Sequence, residues 1–256
     1  MSLTEQTRQI VKLAWCRMLD LEDTDLDLGD PRVRVEAVAE DAAAVTFVRL
    51  FDRTVIFGPA EVIGEARRYS DAELARERTL LSLVRAHRSG ARALGAAHLL
   101  YCEEPPQIRP RADVAVSFEP EHVTRLMAAS PADDVAASGL AEAGWAAALV
   151  EDRPSSAPGA PGHSEGSAGA DSREQVLAAA GREVWQQMIA QLGVLTHPAH
   201  RGSGHGRYIA SVAVEEAFVD GLVPQWRAAM DTEASHRAAI RLGFSEAGSQ
   251  TTVLLD

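Results

Sequence analysis

Apolar residues recur along this chain with two different spacings. Over residues 4–19, Ile10, Leu13, Ala14 and Met18 fall three or four positions apart, which predicts an amphipathic helix. Residues 21–30 are acidic and read as a solvated connection. Residues 33–39 and 43–57 alternate or run apolar, with β-branched and aromatic side chains, and end at Gly58-Pro59, so two strands forming a hairpin are expected. Ser70-Asp71 followed by Glu73 is a capping signature, with Leu74, Leu80, Leu81 and Val84 on one helical face and Arg88-Ser89-Gly90 as the stop. A further apolar patch at 94–101 breaks at Pro105-Pro106.

Beyond Ala112 the pattern changes to an alternation of strands and helices. Strands are predicted at 114–118, 146–150, 175–180 and 188–196, and a helix at 119–129 with Val123, Leu126 and Met127 inward. A second helix covers 207–220, with Ile209, Val212, Ala213, Ala217 and Val219 as its stripe and Gly221 as its stop. Residues 222–230 read as a strand despite Pro224, and a short helix after them closes at Gly243-Phe244. The stretch 153–172, RPSSAPGAPGHSEGSAGADS, cannot bury enough apolar surface to offset chain entropy and reads as a mobile insertion in a hairpin. The proline-bearing stretch 103–111 is the expected boundary between an amino-terminal region, 1–110, and a second domain, 111–256.

Composition narrows the function classes. The chain has 256 residues, 46% of them hydrophobic, enough for one large core or two small ones. No apolar run approaches the roughly 18 residues of a membrane span, and the start, MSLTEQTRQIVKLAW, does not resemble a signal peptide, so a cytoplasmic protein without membrane partners is expected. A net charge of −12 argues against nucleic acid as a partner and is compatible with a cationic acceptor. Cys16 and Cys102 have no metal-ligand spacing and His163 stands alone, so no metal is expected.

The segment richest in chemistry runs LGVLTHPAHRGSGHG, from Leu192 to Gly206. A strand that feeds a glycine-rich turn and then a helix presents unpaired N–H groups at the positive end of the helix dipole, a cradle for an anion such as phosphate. The dinucleotide fingerprint GxGxxG fails here, because the sixth position is Arg207 counted from Gly202 and Ile209 counted from Gly204. A Walker loop fails too, since Lys12 is the only lysine.

What fits is Arg201-x-x-Gly204-x-Gly206, which resembles the pyrophosphate loop Q/R-x-x-G-x-G/A of the GNAT acetyltransferase superfamily. Ser235, Leu242, Gly243 and Phe244 stand where the family's closing pattern places them. The resemblance implies an α/β fold with a mixed, mostly antiparallel sheet flanked by helices over 111–256. Residues 1–110 are then an additional α+β region, either a cap or a degenerate second copy. It implies acetyl-CoA as cosubstrate, with its pyrophosphate on Arg201, Gly202, Ser203, Gly204, His205 and Gly206, and its pantetheine arm on the main chain of Val194, Leu195 and Thr196. The reaction implied is direct transfer of acetyl to a primary amine of a small molecule or peptide in a ternary complex.

Among side chains, Ser235 is a candidate to contact the thiol or donate a proton, with capping of its helix as the equal alternative, and His197 and His205 flank the turn as candidate bases that face solvent or phosphate rather than the acetyl group. Trp226 and Arg227 point to opposite faces of their strand, so one of them can line an acceptor pocket while Trp226 can equally pack in the core. Two positions depart from the family: Thr232 replaces an asparagine, and Ala239 replaces the tyrosine that protonates the leaving thiolate. These departures motivate the alternative of a degenerate member that binds acyl-CoA as a sensor or scaffold without catalysis.

Overall fold

The computed structural model describes residues 3–152 and 174–255, so the insertion expected at 153–172 lies outside the described residues. The chain opens with α1 (Glu5–Met18), β1 (Val35–Val38), β2 (Ala44–Leu50), β3 (Arg53–Gly58), α2 (Ala60–Ala66), α3 (Asp71–Leu74), α4 (Glu77–Arg85) and β4 (Arg92–Tyr101). It continues through β5 (Ala115–Ser117), α5 (Pro120–Ala128), α6 (Ala132–Ser138), β6 (Trp145–Asp152), β7 (Glu174–Trp185), β8 (Ile189–Thr196) and α7 (His205–Val219). It closes with β9 (Val223–Ala229), α8 (Glu233–Arg241) and β10 (Ser245–Leu254). The architecture is mixed α/β with mostly antiparallel strand pairing. No described helix is long and apolar enough to cross a membrane.

These elements form two compact units. One comprises Met1–Pro106, Val184–Gln191 and Val214–Asp256, and the other Gln107–Glu183 and Leu192–Ala213. The chain first leaves the first unit at Pro106, and it passes between units again within β7, β8 and α7.

In the first unit the strands lie in the order β1-β3-β2-β10-β4-β9. The run 43–57 holds both arms of a hairpin, because the chain reverses at Phe51 (φ 55°) and pairs Leu50 with Arg53. Three strands therefore form where two are predicted, and β1 joins β3 in a parallel ladder from Val35↔Val55 to Val38↔Gly58. β2 and β3 read as almost continuously apolar because both faces are covered. Val45, Phe47 and Ile56 pack with Val62, Ile63, Leu80 and Val84 on one face. Val48, Leu50 and Val55 pack with Val11, Ala14 and Trp15 of α1 on the other. Thr4 caps α1, and Trp15 Nε1 donates a buried 2.7 Å hydrogen bond to the Tyr101 hydroxyl.

Three expectations change in this unit. The acidic connection is anchored, since Leu26 is buried in the α1 core and the Arg53 guanidinium donates to the carbonyls of Asp25 (3.0 Å) and Gly29 (3.1 Å). The helix beginning at the Ser70/Glu73 capping box is broken into α3 and α4 by extended backbone at Arg76 (φ −86°, ψ 120°). β10, unanticipated because few apolar residues mark its first half, inserts between β2 and β4.

In the second unit the order is β8-β7-β6-β5. Val123 and Leu126 of α5 pack on Ala148 and Val150 of β6, Val176 and Ala179 of β7, and Leu195 of β8. The unanticipated helix α6 ends at Gly139 (φ 64°) and runs so close to β8 that a Cβ on Gly193 would collide with the Ser138 carbonyl. Glycine at 193 is thus demanded by a backbone-to-backbone approach.

Candidate functional site

The end of β8 shapes the glycine-rich turn. After Thr196, the His197 N–H donates to the Leu177 carbonyl (2.9 Å), and a short 3-10 turn at Pro198–His200 redirects the chain. Gly202 (φ 81°) and Gly204 (φ 82°) then adopt left-handed backbone that L side chains rarely take. The first intrahelical bond of α7 is Tyr208 N–H to Gly204 O, at 3.0 Å. Among the described residues, nothing accepts a hydrogen bond from the backbone N–H groups of Gly202, Ser203, Gly204, His205, Gly206 or Arg207. Residues 201–204 are exposed, so these donors are open to a ligand at the positive end of a 15-residue helix.

Gly206 serves a second purpose. A Cβ there would run into Thr196 Oγ1 and come within 3.5 Å of Val194 Cγ1, so its bare backbone lets α7 start tight against the end of β8. Leu195 points the opposite way, into the core beneath α5. Helix α7 starts at His205, two residues earlier than predicted, and its buried apolar positions are Ile209, Ala210, Ala213, Val214 and Ala217. Val219, expected on that stripe, is 79% exposed because it lies in the last turn, off the buried face.

The side chains around the turn are already engaged. Arg201 Nη2 donates to Asp134 Oδ2 of α6 at 2.6 Å, an ion pair about half-exposed on both sides. Arg111 Nη1 reaches the Ser203 carbonyl (3.5 Å) and His205 Nδ1 (3.3 Å), while its Nη2 pairs with Asp113. Because a guanidinium only donates, His205 Nδ1 is the acceptor and the imidazole is neutral, with its proton on Nε2. Burial, the Arg111 cation and His200 together hold the His205 pKa below its ordinary value. His205 is 8% exposed and lies against Arg111, so of the two expected surroundings, solvent or phosphate, open solvent does not apply. The rings of His197, His200 and His205 follow one another at 5.3 and 6.2 Å, with Gln175 Nε2 at 2.5 Å from His200 Nε2.

Sequence reasoning therefore finds the turn but not its supports. Arg111, Asp134, Gln175 and His200 were not singled out. Arg111 lies 94 positions from His205 and Asp134 lies 67 from Arg201, and no local pattern carries such pairings.

Ser235, the remaining site candidate, belongs to the first unit. Its Oγ accepts a 3.0 Å hydrogen bond from Trp226 Nε1 across β9 and α8. Trp226 is 7% exposed and packs edge-on against Phe244 at 5.7 Å, the core role rather than a pocket-lining one, while Arg227 on the other face stacks over Trp185. Thr232 occupies the N-cap position of α8, and the Ser235 side chain forms no cap bond. Ala239 is fully buried, a methyl group in the core.

Comparison of the sequence with models of protein families gives no match, and comparison with curated proteins gives none. Several solved structures resemble the chain. They are described as GNAT-family acetyltransferases. A GNAT acetyltransferase from Novosphingobium aromaticivorans is similar at 19% identity and TM-score 0.43, over 65% of this chain and 68% of that one. A GNAT-family acetyltransferase from Colwellia psychrerythraea matches at 12% identity and TM-score 0.41, over 68% of this chain, which spans only 60% of that protein's length. A GCN5-related N-acetyltransferase-like protein from Streptococcus suis matches over the full length of both chains at 12% identity and TM-score 0.48.

Proposed function

We propose that this chain is a GNAT-superfamily N-acetyltransferase that uses acetyl-CoA to acetylate a primary amine. The observation that carries this reading is the run of unpaired N–H groups from Gly202 to Arg207 at the start of α7. Two left-handed glycines and Gly206 keep that backbone bare enough for a pyrophosphate to approach. In this reading the main chain of Val194, Leu195 and Thr196 binds the pantetheine amides, and Arg201 exchanges Asp134 for a phosphate oxygen.

In the transfer, the neutral amine attacks the thioester carbonyl, the C–N bond forms, the C–S bond breaks, and the ammonium proton ends on base or solvent as the CoA thiolate departs. Ala239 supplies no proton to that thiolate. Ser235 is the candidate replacement: its Oγ lone pair receives the Trp226 N–H, which leaves the hydroxyl proton available to donate. His205, neutral and in contact with Arg111, contributes no positive charge to phosphate binding near neutral pH. The net charge of −12 favours a cationic acceptor over an acidic one.

One observation favours a second reading. With alanine buried at 239 and Ser235 tied to Trp226, the chain suits an acyl-CoA sensor or scaffold that binds without turnover. Calorimetric titration with CoA, followed by a broad amine panel with thiol-release detection, separates the two. Binding with turnover supports the transferase, binding without thiol release across the panel supports the sensor, and absence of CoA binding overturns both.

A further inference from the structure

Away from the glycine-rich turn, three side chains from three elements of the first unit converge: His98 of β4, His236 of α8 and Glu246 of β10. Each oxygen of one carboxylate meets a different imidazole, with His98 Nδ1 3.0 Å from Glu246 Oε1 and His236 Nε2 3.3 Å from Glu246 Oε2. The two rings lie 4.7 Å apart, and the three ligand atoms all fall within 4.8 Å of one another. The side chains are 29%, 28% and 47% exposed, so the cluster is held by the fold yet open to solvent on one side.

A break in the β10 ladder creates this arrangement. Ser249 lies opposite His98 and Glu246 lies opposite Leu100, with a register shift between Glu246 and Gly248. In a regular strand, residues 246 and 249 face opposite sides of the sheet, because side chains alternate. The extra residue, Ala247, turns Glu246 onto the face that carries His98, as its diagonal cross-strand neighbour. Gly248, at φ 154° and with its α-carbon so close to the Arg49 carbonyl that a Cβ would collide with it, is the residue that permits the bulge. Helix α8 then brings His236 to the second oxygen of Glu246.

We propose that His98, His236 and Glu246 form a binding site for a divalent transition-metal ion of the zinc class. Two imidazoles and one carboxylate select such an ion over magnesium or calcium, which prefer all-oxygen shells. Bonds of about 2.0–2.2 Å in a tetrahedral shell put neighbouring ligand atoms about 3.3 Å apart. The two N···O separations, 3.0 and 3.3 Å, lie near that value but run to different oxygens of Glu246, so an ion here is held by both oxygens or by a shift of one ring toward the other's oxygen. Three protein ligands leave a fourth position for water, on the open side. The ion binds α8 to the β4/β10 pair, and Ser235 precedes His236 on that helix. The sequence gives no hint of this site, because its members lie 138 and 10 positions apart.

The test uses the full chain stripped of metal with a chelator. Zinc uptake by equilibrium dialysis and the visible absorption of added cobalt are measured for the parent, His98→Asn, Glu246→Gln and His200→Asn. The expected result is one equivalent bound by the parent, a fall in affinity of more than about tenfold in the first two variants, and parent-like behaviour in His200→Asn. Should His98→Asn unfold, the nearly isosteric Glu246→Gln carries the test. No saturable uptake by the parent, unchanged affinity in Glu246→Gln, or loss of the site in His200→Asn overturns the proposal.

Discussion

Replacing Gly204 by aspartate separates the folding role of the turn from its ligand role. Position 204 has φ 82°, and left-handed backbone costs a residue with a Cβ about 1–2 kcal/mol, aspartate being among the more tolerant. A carboxylate at the start of α7 regains about 0.3–1 kcal/mol from the helix dipole. A Cβ at 204 meets nothing within 4 Å, so no packing penalty is added. The net loss of stability is about 1 kcal/mol, and Tm falls by about 2–4 °C.

Ligand binding should suffer far more. A carboxylate about 4 Å from one phosphate charge repels it by about 1 kcal/mol in a water-like dielectric and about 4 kcal/mol at the lower dielectric of a protein surface, which is about fivefold to about a thousandfold in affinity. Gly204→Ala shares the strain but carries no charge, so it should keep most of the CoA affinity. Calorimetric titration of the three proteins with CoA, at low and high salt, measures the difference, and salt should narrow it. Parent-like binding by the aspartate variant, or equal losses in the two variants, refutes the assignment of this turn to a phosphate.

Three further outcomes follow from the geometry. Gly193→Ala should destabilise by about 1–3 kcal/mol in urea unfolding, because its Cβ meets the Ser138 carbonyl, whereas Gly64→Ala, exposed in α2 with open space around it, should stabilise by about 0.5–1 kcal/mol; matching effects would disprove the close approach of α6 to β8. His205 has a folded pKa below the ordinary 6.5, so its contribution to stability is present above that value and is lost as pH falls through the lowered folded value. His205→Gln should therefore flatten the acid side of the stability–pH curve, and an unaltered slope would refute the burial argument. Ser235→Ala leaves the nearly buried Trp226 N–H without its acceptor, for a loss of about 1–3 kcal/mol in thermal or urea unfolding. If Ser235 also donates the proton, turnover falls by about a hundredfold, whereas a stability loss with turnover intact makes it a positioning residue for Trp226 alone.

Local pattern determines a good deal of this protein. The spacing of apolar residues locates α1, α5, α7, β6, β8 and β9 to within a few positions, because each buries one or both faces and its period is written in consecutive residues. The turn after β8 is equally legible: glycine stands at 202 and 204 because the backbone there has φ near 80°, and that requirement is local.

What neighbouring residues cannot encode is which distant segment arrives beside them. The parallel pairing of β1 with β3, the insertion of β10 between β2 and β4, the engagement of Arg201 by Asp134 and of His205 by Arg111, and the joining of His98, His236 and Glu246 all rest on contacts tens to hundreds of positions apart. The chain by itself determined many of the elements and the bare-backbone turn, since steric and hydrophobic periodicity act within a few residues. Only the tertiary structure decided the partners of each charge and the face on which Glu246 stands, since these depend on strand register, and one extra residue, Ala247, reverses the side to which a carboxylate points.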